Sequence, residues 1–140
     1  MDYEFAHERL DCYRLAVEVN RWFSTAAFPP GRAHLKDQGQ RASDSVVCNI
    51  AEGASKRGTA AGRNSLRVAL GEAGEACAVL DAAELPGSVE QQQKLRRIGA
   101  MPDRARDAID HVGVRVAAAR AARRASFGVV SDDRLDERMT

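Results

Sequence analysis

The segment "LKDQGQRASDSVVCNIAEGASKRG", Leu35 to Gly58, is the most informative part of the sequence for the architecture. Its apolar residues recur at three- and four-residue spacing, which is the period of one face of an α-helix. The stripe consists of Leu35, Ala42, Val46, Ile50 and Gly53. This pattern predicts a helix from about Ala33 to Ser55 that buries one side against neighbouring helices.

A second set of residues in the same stretch is polar and also shares one side of the predicted helix. This polar seam consists of Gln38, Arg41, Ser45, Asn49 and Glu52, beside Gly53. A buried or interfacial network in which these groups hydrogen-bond one another would fix helix register and partner choice. The alternative is an acid–base site around Glu52. We favour the network, because no second titratable group or metal site lies within sequence reach.

One further helix is predicted before this one, and two are predicted after it. They run from about Glu8 to Ala27, from Ala60 to Leu85 and from Val89 to Arg124. The first carries a stripe of Leu10, Tyr13, Val17 and Phe23. Pro102 should kink or break the last. Short connections predict an all-α, antiparallel up-down-up-down four-helix bundle in residues 1–125, with a disordered charged tail in residues 126–140.

The connections carry their own signals. Gly58 can take the left-handed conformation that ends a helix, and Thr59 can cap the next one. Ser88 and Gln91 have the spacing of a capping box at the start of helix four. Gly71 and Gly74 are predicted to permit close approach of a neighbouring helix.

Composition limits the class of protein. A chain of 140 residues with a net charge of +1 is expected to form one domain without a global electrostatic bias. The cysteines Cys12, Cys48 and Cys77 are far apart and odd in number, so we expect free thiols in a reduced cytoplasmic protein. Cys48 and Cys77 are expected to pack as small hydrophobic residues. The sequence contains no apolar run long enough to predict a membrane span.

The helix-two stretch also resembles a family: the four-helix-bundle proteins first noted as products of intervening sequences within 23S ribosomal RNA genes. "NIAEG", Asn49 to Gly53, falls on its motif. "ALGEAGEA", Ala69 to Ala76, is similar to its helix-three motif, although Glu72 stands where the family has serine. The resemblance implies a homopentameric ring without catalytic activity. It also implies kinship with the accessory variability proteins of diversity-generating retroelements, which bind nucleic acid and a reverse transcriptase.

Basic residues are unevenly distributed along the chain. Residues 32–67 hold seven Lys/Arg against three acids, residues 68–93 hold five acids and no base, and residues 94–124 hold nine bases and three acids. Two clusters should meet at one pole of an antiparallel bundle: Lys56, Arg57, Arg63 and Arg67 with Arg115, Arg120, Arg123 and Arg124. This pole is predicted to bind RNA or DNA. No aromatic residues interleave with these arginines, so contacts should be directed to the backbone.

Two other interpretations remain open. The clusters could be solvated helix ends, or the protein could be an oligomeric adaptor for a protein partner such as a reverse transcriptase, docking through residues 68–93 or the tail. A metal site built from the cysteines and from His7, His34 and His111 is disfavoured, because no pair has ligand spacing. We therefore expect no catalytic residues, no metal and no cofactor.

Overall fold

The structure is a computed structural model that describes residues 4–100, and within that range it is helical without strands. A short 3-10 helix, Ala6–Arg9, precedes α1 (Asp11–Thr25), α2 (Ala33–Ser55) and α3 (Ala60–Ala83); α4 is described over residues 88–100. Within residues 4–100 none of the helices combines the length and the apolar character that a membrane span requires. The all-α prediction is confirmed. The rest of predicted helix four, the effect of Pro102 and the tail lie outside the described residues.

Helix α1 is shorter at both ends than the predicted Glu8–Ala27. Leu10 has an extended backbone, with φ of −90° and ψ of 125°, which separates the 3-10 helix from α1. At the other end Ala26 leaves the helix, and its carbonyl accepts a hydrogen bond from Nζ of Lys36 at 3.0 Å. Alanine favours a helical conformation, but the hydrogen bond from Lys36 in α2 gives the Ala26 carbonyl a partner outside α1.

The α2–α3 connection has the predicted form. Helix α2 ends at Ser55 as expected, and Gly58 takes a left-handed φ of 81°. Oγ1 of Thr59 then accepts a hydrogen bond from N of Gly62 at 3.0 Å, which caps the start of α3. Both ends of the connection are therefore fixed by residues that the sequence identifies.

The capping box predicted for α4 is wrong. N of Ser88 donates to the carbonyl of Leu85 at 3.1 Å, and Oε1 of Gln91 is buried with no hydrogen-bond partner among the described residues. The reason is that α3 ends early, at Ala83, and Glu84 turns the chain with a left-handed φ of 49°. A backbone turn thus satisfies the amide that the Gln91 side chain was expected to bind, and Gln91 packs inside instead.

The core is built from one face of each helix. In α1 the buried position is Val19, whereas the predicted Val17 is only half-buried. Val19 lies four residues before Phe23 and three after Ala16, so it continues the buried side of the shortened helix. The buried core residues are Cys12, Ala16, Val19, Phe23, Ala42, Val46, Ile50, Ala69, Ala73, Ala76, Val79, Leu80, Leu95 and Ile98.

Close helix approach occurs at glycines other than the predicted pair. A Cβ added at Gly71 or Gly74 would meet nothing within 4 Å, and both residues are exposed. Gly39, Gly53 and Gly62 are buried, and a Cβ at any of them would collide with a neighbouring helix or turn. The prediction for Gly71 and Gly74 is wrong because glycine content alone does not say which side of α3 faces the core.

Candidate nucleic-acid interface

The basic turn, which we define as Lys56, Arg57, Arg63 and Arg67, surrounds the α2–α3 connection. Its backbone is held by two glycines. A Cβ at Gly62 would overlap the carbonyl oxygen of Lys56 and lie 3.1 Å from that of Gly53, so the two helices meet backbone to backbone. Only glycine fits such an approach. The basic side chains therefore project from a closely packed junction.

The charges of the basic turn are mostly uncompensated. Lys56 forms an ion pair with Glu52 one helical turn earlier. Arg57 and Arg67 are exposed and Arg63 is half-buried, and none of the three makes an ion pair in the described part of the chain. Unpaired guanidinium groups at a surface can donate two parallel N–H hydrogen bonds to phosphate oxygens. Three such groups at one junction could bind a nucleic-acid backbone.

The structure does not describe the position of the second predicted basic cluster. Arg115, Arg120, Arg123 and Arg124 lie outside the described residues, so the predicted basic pole stays a prediction for that half. The described half of the prediction rests on α2, the turn and the first two turns of α3.

The polar seam lies along the outer side of α2. Gln38, Arg41 and Glu52 are exposed, Ser45 and Asn49 are half-buried, and Gly53 alone is buried. The six residues therefore do not form a buried network within one chain. An interfacial role for the seam stays a prediction.

The expectation that these groups satisfy one another holds for one pair only. Nδ2 of Asn49 donates to the carbonyl and to Oγ of Ser45, at 2.9 and 3.1 Å. Arg41 instead donates from Nε to the carbonyl of Asp37 at 3.3 Å. Residues seven positions apart share a helix side but lie about 10 Å apart along it. Hydrogen bonds along one helix therefore reach only three or four residues.

Glu52 is engaged by its own helix turn. The hydrogen bond from Lys56 lowers the pKa of the Glu52 carboxyl, with further lowering from the Lys56 charge and from Ser65. A general acid or base active near neutral pH needs a carboxyl whose pKa is raised. The acid–base alternative for Glu52 therefore gains no support from its surroundings.

One polar contact between α1 and α2 was not identified from the sequence. Nδ2 of Asn20 in α1 donates to Oγ of the buried Ser43 in α2 at 3.1 Å and to Oδ1 of Asp44. Nε2 of Gln40 donates to the same Asp44 oxygen at 3.0 Å. The available signal was Asn20, a polar residue beside the apolar stripe of α1.

An aromatic stack at the start of the chain was also missed. The rings of Phe5 and His7 are nearly parallel with centroids 5.6 Å apart, and the His7 and Tyr13 rings are 4.5 Å apart with a tilt of 60°. Sequence spacing gave no indication of it, because the 3-10 helix and the break at Leu10 set the ring positions.

The three thiols have different environments. Cys12 is buried, and desolvation raises the pKa of its thiol. Cys77 is half-buried and its thiol pKa is likewise raised by burial. Cys48 is exposed, so the expectation that it packs as a small hydrophobic residue is wrong; it lies on the outer side of α2 with the seam. Across residues 4–100 no group of three or more His, Cys, Asp and Glu residues could hold a metal ion.

Comparison with known proteins found a match that covers the part of the chain with the helix-two motif. A search of curated proteins and a search of solved structures found no match. The sequence model of one family, described as 23S rRNA-intervening sequence protein, matches residues 8–100. That range is about two-thirds of the chain and contains α1, α2, α3 and the described part of α4. The chain belongs to the 23S rRNA-intervening sequence protein family.

Proposed function

We propose that this protein is a non-enzymatic, oligomeric helical bundle that binds the backbone of RNA or DNA through its basic turn. The observation that carries the proposal is the group of Arg57, Arg63 and Arg67, which make no ion pair in residues 4–100 and project from a junction closed by Gly53 and Gly62. Because the backbone beneath these side chains is already packed, phosphate binding has to order only the side chains themselves. Release of counterions from the nucleic acid then favours the complex.

The proposed bundle is antiparallel. Two contacts support this order for α2 and α3: Gly53 and Leu66 lie together near the connection, and Nη1 of Arg32 reaches the carbonyl of Ala82 at 3.5 Å near the other ends. In that arrangement the predicted later part of helix four returns toward the basic turn. Arg115, Arg120, Arg123 and Arg124 would then extend the same basic surface.

We further propose that the bundle assembles into a homopentameric ring in the cytoplasm, as the family resemblance implies. A ring would repeat the basic turn five times around one rim. The exposed seam on α2 supplies hydrogen-bonding groups that a neighbouring subunit could use: Gln38, Arg41, Ser45, Asn49 and Glu52. Burial of such groups between subunits would fix register without requiring a large apolar surface.

The test is binding of the nuclease-treated protein to duplex DNA and to structured RNA across a salt series. Replacing Arg57, Arg63 and Arg67 by glutamine should weaken binding to both polymers. The slope of log K against log salt should fall by roughly 2–3 on duplex DNA, because each lost phosphate contact accounts for roughly 0.9. Charge reversal at Arg120, Arg123 and Arg124 should also weaken binding without changing oligomer size.

A matched control is available on other surfaces. Arg21, Arg96 and Arg97 are exposed and make no ion pair within residues 4–100. Their replacement by glutamine removes the same charge away from the basic turn and should leave the salt slope within about 0.5 of the original value. Equal losses of affinity for nucleic acid in both triple variants would show that net charge, and not the basic turn, drives binding.

The second candidate is an adaptor that binds a protein partner, such as a reverse transcriptase. It is favoured by Glu75 and Glu84, which are exposed and make no ion pair in the described range. These two carboxylates belong to the acidic span 68–93. If the purified protein carries no nucleic acid by its absorbance ratio at 260 and 280 nm and binds none at low salt, the adaptor becomes the leading hypothesis.

A further inference from the structure

One cation of the basic turn already has an anionic partner. Nζ of Lys56 lies 2.5 Å from Oε1 of Glu52, one helical turn earlier, and within residues 4–100 no other member of the basic turn forms an ion pair. The two side chains are 48% and 47% exposed. The ion pair therefore lies at the surface that we propose for phosphate binding, and not beneath it.

The carboxylate of Glu52 has hydrogen-bond donors on both helices that meet at the junction. Besides Lys56, the buried Ser65 of α3 donates to it. These hydrogen bonds and the Lys56 charge lower the pKa of the Glu52 carboxyl. Glu52 therefore carries a full negative charge at neutral pH, directly beside the basic turn.

The backbone of Lys56 is held in position by its neighbours. Its N donates to the carbonyl of Glu52 at 3.0 Å, and its carbonyl accepts hydrogen bonds from N and Oγ1 of Thr59, at 3.1 and 2.7 Å. A glutamate four residues before a lysine is also the favoured order for an ion pair along a helix. The two charges thus stay one helical turn apart on a fixed backbone.

The ion pair affects how many phosphates the basic turn can neutralise. A free cation that contacts a phosphate releases counterions from the nucleic acid, whereas a cation already paired with a carboxylate adds no net charge. Arg57, Arg63 and Arg67 make no ion pair in residues 4–100, so they supply three free cations. An exposed ion pair is weak, so Lys56 becomes available once the carboxylate charge is removed.

We propose that Glu52 is an internal competitor of phosphate, which cancels the charge of Lys56 and limits the basic turn to three phosphate contacts. This inference rests on the proposed function and adds a means of regulating the same site. It assigns to Glu52 a role in setting affinity for nucleic acid, separate from its place in the polar seam. Loss of the Glu52 charge turns Lys56 into a fourth phosphate contact.

The experiment measures binding of the full chain to a short DNA duplex and to a structured RNA across a salt series. Glu52→Gln keeps the size of the side chain and an oxygen that can accept from Ser65. It should steepen the slope of log K against log salt by roughly 0.7–0.9, the value of one phosphate contact, and should bind roughly 5- to 10-fold more tightly at 0.1 M salt. The double variant Glu52→Gln/Lys56→Gln should return to the wild-type slope, because three free cations remain.

The matched control is Glu75→Gln. Glu75 is exposed, makes no ion pair within residues 4–100 and lies about 18 Å along α3 from Arg63. Its replacement should leave the salt slope within about 0.3 of the wild-type value.

Two results would overturn the role of Glu52 and leave the proposed function intact. One is a Glu52→Gln slope equal to that of a wild type that binds nucleic acid. The other is a double variant that keeps the full gain of Glu52→Gln, since the gain would then not depend on Lys56. A wild-type protein that binds neither probe at low salt would overturn the proposed function as well.

Discussion

Two helix contacts in this molecule use glycine for different purposes. Between α1 and α2, Gly39 makes room for the buried ring of Phe23, whose Cζ would lie 2.8 Å from an added Cβ. Between α2 and α3, Gly62 makes room for backbone, the carbonyl group of Lys56. The first contact is side chain against backbone, and the second is backbone against backbone.

The difference determines what each contact can tolerate. A ring can be replaced by a smaller side chain, so a collision at Gly39 can be relieved by a second substitution. A carbonyl group belongs to every residue, so no substitution at Lys56 can relieve a collision at Gly62. The contact that cannot be adjusted is the one that carries the basic turn, so the backbone beneath these charges is held in one position.

The largest effect is expected from the α1–α2 contact. Phe23→Ala should lower the free energy of unfolding by about 3–5 kcal/mol, because Phe23 is fully buried in the core. Gly39→Ala alone should lower it by about 1–3 kcal/mol through overpacking. In the double variant, Gly39→Ala should cause little further loss in the free energy of unfolding, because the Phe23 ring that the new Cβ would contact is absent. Urea unfolding measures all three; strictly additive losses would contradict the proposed contact.

A smaller effect is expected from alanine substitutions at two glycines of α3, which should change the free energy of unfolding in opposite directions. Gly62→Ala should lower the free energy of unfolding by about 1–3 kcal/mol, because the new Cβ meets the Lys56 carbonyl. Gly71→Ala should raise it by about 0.5–1 kcal/mol, since that position is helical and open. Lys56→Ala should not rescue Gly62→Ala. If both glycine variants are stabilised alike in thermal unfolding, the backbone contact is absent.

The smallest effect concerns the ion pair beside the α2–α3 contact. The Glu52 pKa is lowered in the folded chain by Lys56, so the pair stabilises the fold above the carboxyl's unfolded pKa and loses that contribution as pH falls through the folded value. Glu52→Gln should therefore lower Tm slightly at pH 6–7, and the difference should vanish near pH 3. Glu75→Gln, which removes an exposed carboxylate without an ion pair in residues 4–100, is the control. A difference between Glu52→Gln and wild type that persists near pH 3 would contradict this assignment.

The helical architecture, the bounds of α2, the α2–α3 turn and the family could all be predicted from the sequence. These follow from local causes: a three- to four-residue apolar period, a glycine able to turn left-handed at Gly58 and a capping hydroxyl at Thr59. Each signal acts within a few residues, so it can be read along the chain.

The tertiary structure decided which small and polar residues meet. It selected Gly39, Gly53 and Gly62 for close approach and left Gly71 and Gly74 exposed. It paired Asn20 with Ser43 and left Oε1 of Gln91 without a hydrogen-bond partner in residues 4–100. Glycine and amide side chains fit either a buried or an exposed site, and only the packing of a second helix settles which.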